Sequence, residues 1–222
     1  MQLSSPFEDW EGQIAVELPG ARALFTTRSW GDARDGQTEL AARLGVRLAR
    51  PQQVHGSTVL VAGDPEQVAK TQADAVITTS PGVAPTVLTA DCLPIVISTP
   101  GAVAAVHAGW RGLAEGVIAN AVAALRRLRG GVLSAAIGPG AGACCYEVDE
   151  DLHRRFNARS QDFRAGRNLD LKAIARVQLM EAGVARVHDC DICTICAQPQ
   201  LCFSYRRDGP ETGRNAAIAW LS

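Results

Sequence analysis

The sequence predicts a single mixed α/β (α+β) domain over residues 1–222, in which mixed β-sheets pack against flanking helices. A chain of 222 residues with 47% hydrophobic and 20% charged residues can bury a sizeable core, and this length suits one large domain better than two. Short runs rich in Val, Ile and Thr fill the middle of the chain, and amphipathic helical patterns follow them. No repeat or Pro/Ser-rich linker marks a domain boundary.

The strands are predicted from these β-branched runs, at 58–62, 73–79, 86–98 and 103–107. "TELAARLGV" predicts a short helix that ends at Gly45. Apolar residues at three- and four-residue spacing predict a longer helix over 113–128, and "NLDLKAIARVQLMEAGV" predicts another. Later strands are expected in "VLSAAIGPG", "ARVHDCDIC" and "NAAIAWL".

The charge balance excludes several classes of partner. With a formal net charge of -1, the chain has no global positive field to hold nucleic acid or an anionic membrane. No stretch reaches the roughly 18 to 20 apolar residues of a spanning helix, and the N-terminus lacks the pattern of a signal peptide. We expect a cytoplasmic protein, a monomer or homodimer, that acts on small molecules.

Polar residues interrupt two apolar runs where a metal ligand would be useful. Asp91 and Cys92 lie within "VLTADCLPIVIS", His107 ends "AVAAVH", and His55 lies in "QQVHGS". Imidazole and thiolate together favour zinc, or copper, over magnesium and calcium. Because neighbouring residues on a strand point to opposite faces, Cys92 is assigned to the metal and Asp91 to a supporting or proton-transfer role. Spacing alone leaves open, and even favours, the alternative that Cys92 is a small buried residue, Asp91 caps a turn and both imidazoles bond to backbone.

The motifs "QVHG", "LTADCLP", "VAAVHAGWRG", "IGP....CCYEV" and "CFSYRRDG.ETGR" occur in this order. Together they resemble the family first named multicopper polyphenol oxidases or laccase-domain proteins, whose members are now treated as purine nucleoside phosphorylases with adenosine deaminase activity. The resemblance runs from about Phe25 to Leu221. It implies a zinc site at His55, Cys92 and His107. It also implies phosphorolysis of adenosine, inosine and methylthioadenosine, and deamination of adenosine. Deamination by a zinc-activated water needs a carboxylate to carry protons, and our hypothesis is that Asp91 is this carboxylate.

Three other functions compete with this interpretation. A copper-dependent polyphenol oxidase needs many His and Cys ligands for its several coppers, whereas this chain has four His. Bacterial relatives are also described as peptidoglycan editing factors, which suggests a hydrolase of cell-wall precursors. A non-enzymatic interaction module would instead hold its metal in a closed four-ligand site.

Phosphorolysis needs guanidinium groups or backbone amides around a phosphate. The candidates are Arg206 in "SYRRDG", which is preferred, Arg111 at a predicted helix start and Arg28 in "FTTR". The glycine-rich "IGPGAGACCYEV" adds Gly138 as part of an anion-binding turn and Cys145 as a structural or pocket-lining residue. For each arginine the alternative is an ordinary ion pair, and for the glycines a plain tight turn.

The late cysteines form two overlapping C-x-x-C spacings in "CDICTICAQPQLC". Cys190, Cys193, Cys196 and Cys202 could hold a structural zinc. Similar proteins lack most of these cysteines, which favours buried thiols instead. His153 and His188 lie in polar contexts and are expected to be solvated, with no functional role.

Overall fold

The computed structural model describes residues 3–157, 162–197 and 201–222. Within these residues the helices are α1 (Gln37–Leu44), α2 (Pro65–Ala69), α3 (Trp110–Glu115), α4 (Val117–Leu128), α5 (Glu150–Asn157), α6 (Leu171–Glu181) and α7 (Tyr205–Asp208). The strands are β1 (Phe7–Trp10), β2 (Gln13–Leu18), β3 (Ala21–Phe25), β4 (Arg47–Ala49), β5 (Val59–Val61), β6 (Ala75–Thr78), β7 (Val83–Thr89), β8 (Leu93–Thr99), β9 (Ala102–Ala108), β10 (Ser134–Ile137), β11 (Arg164–Ala165), β12 (Asn168–Leu169), β13 (Arg186–Asp189) and β14 (Asn215–Leu221).

Two six-stranded sheets organise the chain. The first has the strand order β1-β2-β3-β14-β7-β4, and the second has the order β13-β10-β8-β9-β6-β5. Each sheet is mixed. In the first, β4 and β7 are parallel; in the second, β5 is parallel to β6 and β10 is parallel to β13. The remaining pairs in both sheets are antiparallel. The mixed α+β prediction is therefore confirmed.

The inner faces of the two sheets pack against each other. Phe25 and Val87 of the first sheet share a buried cluster with Val96 and Val103 of the second. On the outer face of the second sheet, the neighbouring Ile95 belongs to a different cluster, formed with α3, α4 and α6. Because both faces of β8 and β9 are covered, these strands are buried throughout, and their mostly apolar sequences show no alternation that would assign residues to one face.

The outer face of the first sheet is covered by α1. Leu40 of this helix packs with Leu24, Leu88 and Ile218. The helix ends where Gly45 adopts the left-handed conformation, as the sequence predicts. The order of layers is thus α1, the first sheet, the second sheet, and α3 with α4 and α6.

The run predicted as one strand over 86–98 is two strands in different sheets. Residues up to Thr89 belong to the first sheet and residues from Leu93 to the second. The chain crosses between the sheets at 90–92, where Asp91 has a φ of 92°. The predicted helix over 113–128 is likewise divided into α3 and α4, because Gly116 adopts a φ of 85°.

The longest helix within the described ranges is α4, with 12 residues. None of the helices there combines the length and the apolar character that crossing a membrane requires.

Candidate metal centre and its cavity

Three predicted metal ligands meet at one end of the sandwich. The ligand atoms of His55, Cys92 and His107 all lie within 4.8 Å of one another, and the two imidazole centroids are 4.8 Å apart. Bonds of about 2.0–2.3 Å to one tetrahedral ion place its ligand atoms about 3.3–3.8 Å apart. One ion of this type therefore fits this three-ligand group with small adjustments.

Strand pairing brings two of these ligands together. Pro94 of β8 pairs with His107 of β9, so Cys92, which directly precedes β8, lies beside the imidazole of His107. His55 comes from a separate loop and has a φ of 63°. The side chain of Gln53 fixes this loop by accepting a hydrogen bond from Leu88 N at 2.7 Å and donating one to Leu88 O at 2.8 Å.

Asp74, which was not predicted from the sequence, adjoins the three-ligand group. Its carboxylate is fully buried, and its Oδ1 lies 2.7 Å from His107 Nδ1. It also accepts backbone N–H bonds from Val54, His55 and Gly56 at 3.2, 2.9 and 2.7 Å. Asp74 thus orients His107 so that Nε2 faces the other ligands, and it shapes the loop that carries His55. The only signal in the sequence is an acidic residue directly before an apolar strand.

Two glycines of "HAGWRG" leave room for the ligands. A Cβ on Gly109 would lie 2.9 Å from Cys92 Sγ and 3.3 Å from His55 Cδ2. A Cβ on Gly112 would lie 2.9 Å from Gly56 O. These positions require glycine because a neighbouring loop or ligand approaches the backbone closely.

Cys92 and His107 form a charged pair. Burial disfavours the thiolate, yet the charge of His107 and hydrogen bonds from both imidazoles lower the pKa of Cys92 to about 6. Burial also disfavours the imidazolium, but the Cys92 thiolate and Asp74 raise the pKa of His107 to about 9. The two shifts describe one shared interaction, in which the sulfur already carries the negative charge that a metal ligand needs.

The carboxylate of Asp91 is bound by residues outside the three-ligand group. Its Oδ1 accepts a hydrogen bond from Thr194 Oγ1 at 2.6 Å, and its Oδ2 accepts one from the backbone N–H of Arg206 at 2.7 Å. Its backbone carbonyl accepts the amide of Ala141 at 2.7 Å. Asp91 and Cys92 thus have different partners, and they lie in a turn between the sheets and not in the regular strand that the sequence predicts.

The three-ligand group opens onto a cavity of about 700 Å³. Five guanidinium groups line this arginine-lined cavity, from Arg34, Arg50, Arg111, Arg206 and Arg214. Arg34 pairs with Asp32. In the described part of the chain, no carboxylate lies within ion-pair distance of the other four. Their charges are available to an anionic ligand.

A family model described as multi-copper polyphenol oxidoreductase laccase matches residues 32–222. The chain belongs to this family. A purine nucleoside phosphorylase of Pseudomonas aeruginosa is 38% identical over an alignment 244 positions long, which covers 96% of this chain and 96% of the relative. Another, of Xylella fastidiosa, is 40% identical over 185 residues, which cover 76% of this chain and 70% of the relative.

A solved structure supports the same relationship. The crystal structure of a Neisseria meningitidis protein superposes with a TM-score of 0.81 at 31% identity, covering 96% of this chain and 100% of that one. Since curated relatives are named purine nucleoside phosphorylases, the family contains enzymes of nucleoside processing. In this chain, the clustered His and Cys donor atoms suit metal binding.

Aromatic rings hold two of the predicted phosphate ligands of this family member. Arg206 lies over the Tyr146 ring at 4.9 Å and donates from its guanidinium to Glu147 O at 2.7 Å. Arg111 lies over the Trp110 ring at 4.7 Å. Burial, together with the nearby charge of Cys92, raises the pKa of Tyr146 to about 12, so this phenol stays protonated at neutral pH.

Other predicted site residues do not line the arginine-lined cavity. Arg28 pairs with Asp208 at 3.4 Å and lies over the Phe203 ring. Gly138 donates its amide to Pro94 O, and a Cβ there would lie 2.3 Å from Phe25. Close packing thus explains this glycine, and its amide is not free for an anion.

The cysteines group differently from the sequence hypothesis. Cys193 and Cys196 approach Cys144 and Cys145, and the four sulfurs lie within 4.8 Å of one another. Cys190 and Cys202 are buried elsewhere. The expectation of four buried late thiols is wrong for Cys196, which is exposed.

The two remaining histidines also differ from each other. His153 was expected to be solvated, but it is buried and its Nε2 contacts Arg167 O at 3.3 Å. His188 lies half-buried in β13. Neither belongs to a group of metal-type ligands among the described residues.

Proposed function

We propose that the protein is a zinc-dependent purine nucleoside phosphorylase that converts adenosine, inosine and methylthioadenosine to the free base and ribose 1-phosphate. Deamination of adenosine is proposed as a second activity of the same site. The observation that carries this proposal is the position of the three-ligand group, which opens onto a cavity lined by five arginines, four of them without a carboxylate partner among the described residues. The names of the curated relatives support it.

His55, Cys92 and His107 would hold the metal ion. Two imidazoles and one thiolate suit zinc and can also bind copper. A bound zinc ion supplies Lewis-acid chemistry at the floor of the cavity. Three protein ligands leave one coordination position open to the cavity, which favours an enzyme over a closed structural site.

The arginines would bind the phosphate and the developing negative charge. Arg206 and Arg111 are held over aromatic rings, so their guanidinium groups lose little freedom when an anion binds. Arg50 and Arg214, which were not predicted from the sequence, line the same cavity. Phosphate held beside the anomeric carbon would react with the ribose as the purine departs.

Asp91 and Tyr146 are the candidates for proton transfer. Both line the cavity. Tyr146 is protonated at neutral pH and can donate a hydrogen bond to a departing base. For deamination we assign Asp91 as the proton carrier, because its carboxylate is held in place from two sides.

Adenine release from adenosine, measured by chromatography with and without inorganic phosphate, tests the main activity. We expect release to require phosphate and Cys92→Ser to lower kcat/KM at least about 100-fold, because a Lewis acid contributes several kcal/mol of transition-state stabilisation. Cys190→Ser is the matched control, since this buried thiol lies outside the cavity. Adenine release that does not require phosphate would overturn the proposal in favour of a hydrolase. Release of amino acids from a muramyl precursor, without adenine release, would do the same.

Inosine formation tests the role of Asp91 separately. Asp91→Asn should remove deamination, and full retained activity would exclude this residue as the proton carrier. Thr194→Val is the control, because it deletes one hydrogen bond to Asp91 without changing its charge. An equal loss in both variants would make Asp91 a positioning residue.

A further inference from the structure

A second group of metal-type ligands lies outside the arginine-lined cavity. Cys144 and Cys145 belong to the turn after β10, and Cys193 and Cys196 belong to the loop after β13. We call these residues the four-cysteine group. The proposed phosphorolysis uses none of them.

The sulfur positions suit one tetrahedral ion. All four Sγ atoms lie within 4.8 Å of one another, and the Sγ atoms of Cys144 and Cys196 are 3.4 Å apart. Bonds of about 2.3 Å from a zinc ion to thiolate sulfurs place the sulfurs about 3.8 Å apart. Small side-chain rotations therefore reach a four-thiolate site without moving the backbone far.

Backbone amides surround the most buried of these sulfurs. Gly142 N donates to Cys193 Sγ at 3.3 Å, and this amide, with those of Cys196 and Ile195, lowers the pKa of the Cys193 thiol despite its burial. A backbone N–H that donates to a sulfur favours the thiolate and helps to fix its position. Because Cys193 and Cys196 are spaced as C-x-x-C, the same turn presents both sulfurs to one point.

The backbone also leaves room for the group. A Cβ on Gly142 would lie 3.2 Å from Cys193 Cβ and 3.3 Å from Cys144 Sγ. Glycine therefore allows the first loop to pass directly beneath the sulfurs.

We propose that Cys144, Cys145, Cys193 and Cys196 bind a second zinc ion in a closed, structural site. Binding forms four sulfur–zinc bonds and releases the thiol protons to solvent, with no change in oxidation state. Four thiolates fill the tetrahedral shell, so this ion has no position left for substrate. Its effect is to join two loops that no disulfide connects among the described residues.

These loops support the cavity wall. Thr194, within the C-x-x-C turn, donates to Asp91 Oδ1, and Ala141, close to Cys144, donates to Asp91 O. The guanidinium of Arg207 donates to Thr194 O at 2.8 Å, which ties α7 to the same turn. The second zinc would thus stabilise the corner that carries Asp91 and Cys92.

Metal content per chain tests the inference. The full chain is purified under reducing conditions, and zinc, copper and iron are measured by elemental analysis. We expect two zinc ions in the wild type, one in Cys92→Ser, one in the double variant Cys144→Ser/Cys196→Ser, and none in the combined triple variant. Because Cys144 and Cys196 are exposed, their replacement by serine leaves the core packing intact. Cys190→Ala and Cys202→Ala are the matched controls and should keep two ions.

Cobalt substitution provides a second measurement that does not depend on activity. In the Cys92→Ser background, cobalt should give a strong thiolate-to-metal absorption band that Cys144→Ser/Cys196→Ser removes. Two results in the wild type would overturn the inference. One is that all four thiols react freely with a thiol reagent. The other is a protein mass lower by two hydrogens for each disulfide, which would show that the cysteines are paired. Iron or copper in place of zinc would overturn the choice of metal. Since activity is not read, failure here is distinct from failure of the proposed phosphorylase.

Discussion

The three-ligand group and the four-cysteine group differ in how they are supported and in what they face. The first combines two imidazoles with one thiolate, rests on the buried carboxylate of Asp74, and opens onto the arginine-lined cavity. The second contains sulfur only, accepts a hydrogen bond from the backbone amide of Gly142, and lies outside that cavity. The number of protein ligands separates their proposed roles, because three leave a metal position open for chemistry and four close it.

One corner of the chain connects the two groups. Cys92 belongs to the first group, while its neighbour Asp91 accepts hydrogen bonds from Thr194 and Ala141, which flank the second. For every variant that removes one zinc ion, zinc binding should therefore be measured at both groups. The following variants test whether the two behave as independent sites.

The largest effect is expected for Asp74→Asn. The amide would turn its NH₂ toward backbone N–H groups that now donate to the carboxylate, and it would remove the charge beside His107. Loss of such a supporting carboxylate weakens metal affinity about 10–100-fold. Zinc affinity is measured by competition with a chelator in the Cys144→Ser/Cys196→Ser background, so that only the three-ligand group binds.

Asp64→Asn is the control for this change, because Asp64 caps α2 and contacts neither group. An unaltered affinity in Asp74→Asn would mean that the three-ligand group does not depend on its buried carboxylate.

A smaller effect is expected for Arg206→Gln, which tests the cavity that distinguishes the two groups. A charge-assisted hydrogen bond to phosphate is worth about 1.5–3 kcal/mol, so the KM for phosphate should rise about 10-fold or more. The backbone bond from Arg206 to Asp91 is retained. Arg28→Gln is the matched comparison, because Arg28 lies outside the cavity. Equal rises in both variants would contradict a specific phosphate role for Arg206.

The smallest effects are expected from a matched pair of glycine variants. Gly109→Ala places a Cβ 2.9 Å from Cys92 Sγ, whereas the closest contact of Gly142→Ala is 3.2 Å, to Cys193 Cβ. Overpacking costs about 1–3 kcal/mol, and for one added methyl group we expect the low end of this range, so zinc affinity should fall about 5-fold at the three-ligand group and less at the four-cysteine group. Gly63→Ala, which meets only open space, should leave both affinities unchanged. A larger loss for Gly142→Ala would reverse the expected order.

Much of the fold followed from local patterns. The apolar runs correctly indicated strands at β5, β6 and β9, and the helical spacing of "LKAIARVQLME" indicated α6. The run over 86–98 was misjudged because β7 and β8 are both buried on two faces. Asp91 and Cys92 interrupt the run where the chain changes sheet, but their polar side chains were interpreted as site chemistry and not as a break between two strands.

The candidate site was predictable to a different extent for each residue. His55, Cys92 and His107 carry distinctive chemistry in distinctive motifs, and the structure brings them together. Asp74 was missed because its role arises from a strand pair, in which His107 N donates to Asp74 O at 2.7 Å. Arg50 and Arg214 were missed because one arginine in a sequence resembles any other until its partners are known.

By itself, the sequence determined which groups could bind a metal, since donor chemistry belongs to the side chain and does not depend on its neighbours. It also determined the strands and helices whose periodicity is local. Only the tertiary structure decided which donors share one ion. Cys193 and Cys196 meet Cys144 and Cys145 and not Cys190 and Cys202, because proximity between distant segments is set by sheet order and loop packing.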